Sequence, residues 1–570
     1  MTKTLRRRLL AVAGLAAFCA ALLAGGSSAK NAPSKLDKID HIVVIYEENH
    51  SFDNLYGGWE GVNGIANADA AHTTQVSQSG APYTCLPQND VNLQPLADGC
   101  TTGFESTGAF PNGPFIIDSY IPSTATTCPK PNGTFAAHGF VDGTGLPGGC
   151  TEDIVHRYYQ ERYQIDGGKQ DRYVTGSDAE GLVMGRYDTK SLPIYGYLHE
   201  PNAPHYAIAD NFFQGANGGS YLKHIFLVSA TAQLFAGALN DGSANDFHSV
   251  VDANGMPKNY PLYHSPLGGA VVDGMLTASC NPPPGRPATP AGIACGDYAV
   301  NTTQPWYWPY SPGTADAKRQ QPLPTQNIGD ELSAKGVDWA WYSGGWANAN
   351  GYTDELGYTN GTGPTCSDPD AKAGSTWPRC PDVNFQYHHQ PFNYWATYAP
   401  GTAARAAHLR DEAEFIAAAD ASQTSCDLKA VSFIKPVGEE NEHPGYTSEV
   451  RGSNHLVELL QSIEGSACAK DTMVIVTYDE FGGQWDHVPP PGQGSTTPGP
   501  HDKWGPGTRI PALIVAPGLP GNFVVDHTSH DTSSILATIE HRFDVPALSS
   551  RDAQVADLSS VYDAKQVPGK

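Results

Sequence analysis

The sequence predicts an α/β fold built on a mainly parallel sheet, and three observations lead there. Strand-like and helix-like segments alternate along the chain. Several strand-like segments are short apolar runs, the pattern of buried strands. Two of these runs stop abruptly on acidic pairs: HIVVIYEENHSFDNLYG, from His41 to Gly57, and MVIVTYDEFGG, from Met473 to Gly483.

The strand candidates are 42–45, 206–208, 337–342, 430–434, 473–478 and 511–515. The helix candidates are 221–230, 403–419, 455–463 and 532–543. Gly465 closes the third helix, and Asp531 or Thr532 is the N-cap of the last. Two insertions, about 66–150 and about 240–326, are rich in Gly, Pro, Thr and Cys and poor in helical periodicity. They read as disulfide-tied elaborations that shape a site entrance. With no internal repeat and no long linker, residues 30–570 are expected to form a single domain.

Residues 1–29 are expected to be a signal peptide. Lys3 and Arg6 to Arg8 precede an apolar run, 9–24, and small residues follow, with Ser27 and Ala29 suited to cleavage. The run is short for a bilayer span of about 20 residues. Export by the Sec or the twin-arginine route, to the periplasm or outside the cell, is the expectation. Cys19 leaves with the leader, and the other ten of 11 cysteines fall into local couples. These are Cys85 with Cys100, Cys128 with Cys150, Cys280 with Cys295, Cys366 with Cys380 and Cys426 with Cys468. An even set in an exported chain points to disulfides, with the connectivity left open.

Only 16% of the residues are charged, while 61 Gly and 45 Pro imply long ordered loops. A formal charge of −25 argues against a nucleic-acid partner. No further apolar run could span a bilayer, so no stable membrane insertion is expected.

In open α/β sheets ligands bind outside the carboxyl ends of the strands. Neighbouring strands that end on Glu48-Asn49 and Asp479-Glu480 would bring hard oxygen donors together. Such carboxylates repel unless a cation lies between them. Each pair could also be a solvated turn or a cap. Ser220 follows Gly218-Gly219 at a helix start, where N–H groups favour an alkoxide or a phosphoryl group; an ordinary N-cap is the bland alternative. His156, His388, His389 and His443 stand in polar-aromatic stretches. His224 shares a helix face with Ser220 and reads as packing, while His50, His455, His487, His527 and His530 have no assigned role.

Taken together, EENHSFDNLYG, DGGKQDRYV with upstream His156, DNFFQGANGGS, YHHQPFNYW, ENEHPGYTSE and TYDEFGGQWDHVPPP resemble the bacterial phosphoesterase family. That family contains secreted acid phosphatases and phosphocholine-preferring phospholipases C, within the alkaline phosphatase superfamily. The resemblance runs from about residue 39 to about 545 and implies an alkaline-phosphatase-like sheet flanked by helices. It implies that Glu48, Asn49, Asp479 and Glu480 ligate one divalent metal that Ser220, the nucleophile, also touches. It places His156, His388, His389 and His443 around the phosphate. Asp53 and Glu47 are left with turn and supporting duty. All-oxygen ligation favours calcium, magnesium or manganese and leaves zinc open.

The expected activity is phosphomonoester hydrolysis through a phosphoserine, with protonated histidines holding the transferring oxygens and favouring acidic to near-neutral pH. The expected partner is a small phosphorylated substrate. The first alternative is a phospholipase C acting on a phospholipid head group. Against it stand the Gly-Gly-Ser context, where that branch typically has threonine, a YHHQPFNYW closer to the phosphatases, and little chain after Val545. The second alternative is a non-catalytic exported metal-binding protein.

Overall fold

The computed structural model describes residues 34–87, 109–119 and 151–569. Nine strands form one sheet: β1 (His41–Glu47), β2 (Tyr206–Ala209), β3 (Trp339–Ser343), β4 (Leu409–Asp411), β5 (Val431–Lys435), β6 (Thr472–Tyr478), β7 (Ala512–Val515), β8 (Phe523–Asp526) and β9 (Lys565–Gln566). Their order is β4-β3-β5-β1-β6-β7-β2-β8-β9. β7 runs antiparallel to β6 and β2, and β9 antiparallel to β8; the other pairings are parallel. All six expected strands are present. The short β4, β8 and β9 carried no apolar run strong enough to predict them.

β1 is central, and Ile42, Val43, Val44 and Ile45 are fully buried. Each such side chain contributes about 1.5–3 kcal/mol relative to exposure. Burial on both faces explains why the run is continuous rather than alternating.

The helices used below are α1 (Ser220–Ser229), α2 (Ala403–His408), α3 (Glu412–Ala421), α4 (Glu449–Glu464) and α5 (Ser533–Phe543). The single helix expected over 403–419 is two, because Leu409–Asp411 leaves the helix to pair with β3 at the sheet edge. Sheet pairing there overrides local helix propensity. α4 begins six residues before the expected 455, where the Ser448 side chain accepts from Arg451 N. At α5 it is Asp531, not Thr532, that accepts from the Ser533 N–H, at 2.7 Å.

Three of the expected cysteine couples are disulfides: Cys280–Cys295, Cys366–Cys380 and Cys426–Cys468. Closing a 15-residue loop stabilises by about 3 kcal/mol in the chain-entropy account. Cys100, Cys128 and Cys150, like the proposed leader, lie outside the described residues. Among the described residues no helix is long and apolar enough to cross a membrane.

Candidate active site

β1 and β6 pair in register from His41 opposite Thr472 to Glu47 opposite Tyr478. The next residue on each strand is Glu48 and Asp479, and Asp479 N–H donates to Glu47 O at 3.0 Å. Parallel pairing alone therefore sets the two acidic pairs side by side. Glu48, Asn49, Asp479 and Glu480 are all buried.

Asn49 has a φ of 64°, a left-handed backbone that costs a non-glycine residue about 1–3 kcal/mol. Gly482, itself at φ 62°, lets the facing loop approach: a Cβ there would lie 2.1 Å from Asn49 O. The loops after β1 and β6 are further joined by a buried ion cluster. Arg509 holds Asp53 Oδ1 at 3.1 Å and Asp486 Oδ1 at 3.0 Å, while His487 Nδ1 is 2.5 Å from Asp53 Oδ2. Asp53 thus does more than make a turn. It clasps one half of the site to the other.

Ser220 is the first residue of α1, a helix buried along its whole length. Its Oγ donates to Glu480 Oε1 at 2.7 Å. The approach is fixed by Glu161, whose carboxylate accepts from Gly218 N at 3.1 Å and Thr508 N at 2.8 Å. The nucleophile candidate, a helix N-terminus and the acidic cradle therefore meet.

The Asn49 amide tests whether this cradle suits a cation. One end lies 3.1 Å from both Glu48 Oε2 and Asp479 Oδ1; the other lies 2.6 Å from His443 Nε2. His443 Nδ1 is 2.7 Å from Pro444 O, which can only accept, so Nδ1 carries a proton. Burial holds the His443 ring neutral. Its Nε2 must then accept from the amide nitrogen, which turns the Asn49 oxygen toward the two carboxylates. The opposite turn would hydrogen-bond both carboxylates but leave two acceptors facing each other at His443. Oxygens that converge in this way suit a cation. Asp479 Oδ2 and Glu480 Oε2 are also buried without a hydrogen-bond partner. Burial, then Asp479, pushes Glu48 and Glu480 well above the usual carboxylate range, and burial raises Asp479. A bound cation reverses that penalty. Glu48, Asn49, Asp479, Glu480 and Ser220 Oγ are the oxygen donors that would hold one hard divalent ion.

The four singled-out histidines gather on the same side. His156, His388, His389 and His443 line, with Ser220, a cavity of about 550 Å³. His389 Nε2 is 3.1 Å from Glu48 Oε1, and His156 Nε2 is 3.6 Å from Glu480 Oε1. In three of the four, burial opposes the imidazolium form. Burial, then the Lys435 ammonium, lowers His388 to about 3 and His389 well below the ordinary histidine range. Lys258, Tyr260, Asp273, Asn301 and Thr302, from the second insertion, line the cavity, so that insertion does shape the entrance.

Sequence reasoning missed four groups. Lys435, the last residue of β5, lies 2.5 Å from Glu48 Oε1; as the lone charge ending AVSFIKP it was detectable. Lys223 is buried in α1, its Nζ 3.9 Å from Glu161 Oε2 and without a hydrogen bond. His224, read as packing, stacks on His389 at 4.7 Å and sits 4.0 Å from Glu48 Oε1. Arg509 had no signal beyond its charge.

The Phosphoesterase family matches residues 39–546, most of the chain. The protein belongs to that family. This Phosphoesterase member is 34% identical over 161 residues to Phospholipase C B of Mycobacterium tuberculosis, covering 25% of this chain and 30% of that protein. It is 28% identical over 154 residues to Non-specific phospholipase C6 of Arabidopsis thaliana, covering 24% and 29%. The aligned stretches thus span under a third of these relatives. Among solved structures, an alkaline phosphatase superfamily protein from Vibrio parahaemolyticus is similar at 14% identity, covering 40% of this chain and 50% of that one, with a TM-score of 0.21.

Proposed function

We propose that this member of the Phosphoesterase family is an exported, metal-dependent phosphomonoesterase that acts through Ser220. The observation that carries this reading is the Ser220 hydroxyl, donating to Glu480 Oε1 at 2.7 Å on the wall of a cavity lined by four histidines. A divalent ion bound at the cradle would lower the pKa of that hydroxyl and screen the phosphate charge. Ser220 Oγ attacks phosphorus in line, the bond to the leaving alcohol breaks, and water then releases phosphate from the phosphoserine. The N–H groups at the start of α1 face the transferring oxygens. A phosphate dianion beside His388 would draw onto it the proton that burial denies it, and that proton would go to the leaving oxygen.

Charge on the cavity wall favours a dianionic monoester. Arg157 is paired with Asp273 at 2.9 Å, whereas Lys258 and Lys372 stand near the Tyr260 and Tyr387 rings. Among the described residues neither lysine is ion-paired. The three disulfides support export, and the family match running through both insertions supports one catalytic domain.

A phospholipase C reading is favoured by the names of the relatives and by a second feature of the wall. Asp153 and Asp178 stand with Tyr260 and Tyr446, an acidic and aromatic set suited to a cationic head group. Assaying p-nitrophenyl phosphate and phosphatidylcholine side by side separates the two: faster turnover of the lipid would favour the second. Ser220→Ala should abolish either activity, and full activity in that variant would sink both.

A further inference from the structure

The 2.7 Å hydrogen bond from Ser220 Oγ to Glu480 Oε1 joins two segments far apart in sequence. Ser220 opens α1, whereas Glu480 stands in the loop after β6. The side chain of Gln214 reaches from one to the other. It is fully buried, in the stretch between β2 and α1. Its Oε1 accepts at 3.0 Å from the N–H of Phe481, the residue directly after Glu480. A backbone N–H can only donate, so the amide has one orientation. Its Nε2 therefore donates to Glu161 Oε1.

Glu161, in the helix Tyr158–Ile165, takes up the other end. Its Oε1 also accepts from Thr508 N at 2.8 Å, and its Oε2 accepts at 3.1 Å from the N–H of Gly218, just ahead of Ser220. The path from Phe481 N through the Gln214 amide and the Glu161 carboxylate to Gly218 N thus ties the Glu480 loop to the nucleophile turn. These partners of Glu161 are all donors and the carboxylate only accepts, so no link in the path can reverse.

A buried charge held in this way needs a counter-charge. Lys223 on α1 supplies it: its ammonium is buried, 3.9 Å from Glu161 Oε2, and has no hydrogen bond of its own. The link also has no slack. A Cβ on Gly507 would lie 2.3 Å from both Gln214 Nε2 and Glu161 Oε1. The backbone of the turn is tied down as well. Gln214 N donates to Thr508 O at 3.1 Å, Asn217 N to Trp504 O at 2.7 Å and Gly219 N to Val300 O at 3.1 Å.

We propose that Gln214, acting through Glu161, is a positioning residue that sets Ser220 Oγ against Glu480. The inference rests on the reading of Ser220 as the nucleophile. Neither Gln214 nor Glu161 lines the cavity that Ser220 faces. Their part is to hold the attacking oxygen in line with phosphorus, where a misplacement of about 1 Å costs about 10²-fold in rate. That contribution belongs to the transition state and not to the binding of substrate.

The test is Gln214→Met in the full protein, with calcium chloride in excess and p-nitrophenyl phosphate as substrate. kcat should fall about 10²-fold, while KM and inhibition by inorganic phosphate stay within twofold of wild type. Inhibition by vanadate, which adopts the five-coordinate geometry of attacked phosphorus, should weaken by the same factor as kcat/KM. Glu161→Gln, equal in shape, turns an amide N–H toward a donor and should give the same pattern; it decides if Gln214→Met does not fold. A kcat within twofold of wild type would overturn the role. So would phosphate and vanadate binding that weaken equally, the mark of a wall that has merely collapsed. Ser220→Ala, assayed alongside, keeps the two readings apart. Activity in that variant removes the nucleophile and this inference with it, whereas an inactive Ser220→Ala beside a fully active Gln214→Met overturns the positioning role alone.

Discussion

Lys435 Nζ lies 2.5 Å from Glu48 Oε1, while Glu48 Oε2 faces the Asn49 amide and the cation cradle. One carboxylate is thus shared between a built-in ammonium and the place of an ion. The other contacts of Nζ are Tyr46 O at 2.8 Å and Glu47 O at 3.3 Å, which suit the three donors of an ammonium. Removing one partner of a buried pair typically costs about 3–5 kcal/mol. Lys435→Gln should lower kcat/KM at least about 10²-fold, the scale of a lost electrostatic contact. Lys435→Arg should not rescue it, because a planar fork cannot reproduce the three contacts. Steady-state assays with p-nitrophenyl phosphate decide; a Lys435→Gln variant within twofold of wild type would refute the assignment.

His443 orients Asn49 through the 2.6 Å contact between Nε2 and the amide. Its loss should free the amide to turn its nitrogen toward Glu48 and Asp479. His443→Phe should therefore weaken calcium binding at the Ser220 cradle by about tenfold, the lower end for partners that orient a ligand. Calorimetric titration of the wild type and the variant with calcium chloride reads this. Unchanged affinity would remove the positioning role.

Gly482 allows the two loops to meet. Alanine there places a Cβ 2.1 Å from Asn49 O at a φ of 62°. Because the obstacle is backbone, Gly482→Ala should displace Asn49, reduce activity by more than tenfold and lower Tm. Gly269→Ala, with nothing within 4 Å of the added Cβ, is the control and should behave as wild type.

Calcium affinity should fall as pH falls. Burial raises Glu48, Asp479 and Glu480 in the metal-free site, and an ion needs them deprotonated. Raised folded-state carboxyls stabilise the metal-free fold at low pH, and that contribution is lost as pH rises through their folded pKa values. The lowered imidazoles act the other way: His388, at about 3, costs the fold stability as pH drops below the ordinary histidine value of about 6.5. Comparing Tm with calcium and with chelator at one pH largely cancels the histidine contribution. The calcium-induced rise in Tm should be larger at pH 7.5 than at pH 5, and the opposite order would contradict the ligand set.

The acidic pairs, Ser220 and the four histidines were legible because each ends a strand, opens a helix or crowds a polar stretch within an apolar background. Their partners were not. Lys435 gains meaning only when β5 is laid beside β1, with Ile45 opposite Ile434, which puts it next to Tyr46. Lys223 and His224 look like interruptions of an apolar helix until α1 is seen to be buried on all sides. Burial and a lysine remote in sequence oppose the charged form of His388, which no local pattern reveals.

By itself the sequence determined that this chain builds an α/β sheet whose strands deliver oxygen donors at their carboxyl ends. Local composition and periodicity are enough for that, because strand length, apolar runs and turn residues act over a few positions. Which strands lie side by side, which way the Asn49 amide turns and which charges stay unpaired were decided only by the tertiary structure. Those depend on contacts between residues as far apart as Glu48 and Lys435 and on removal from water, neither of which a local pattern encodes.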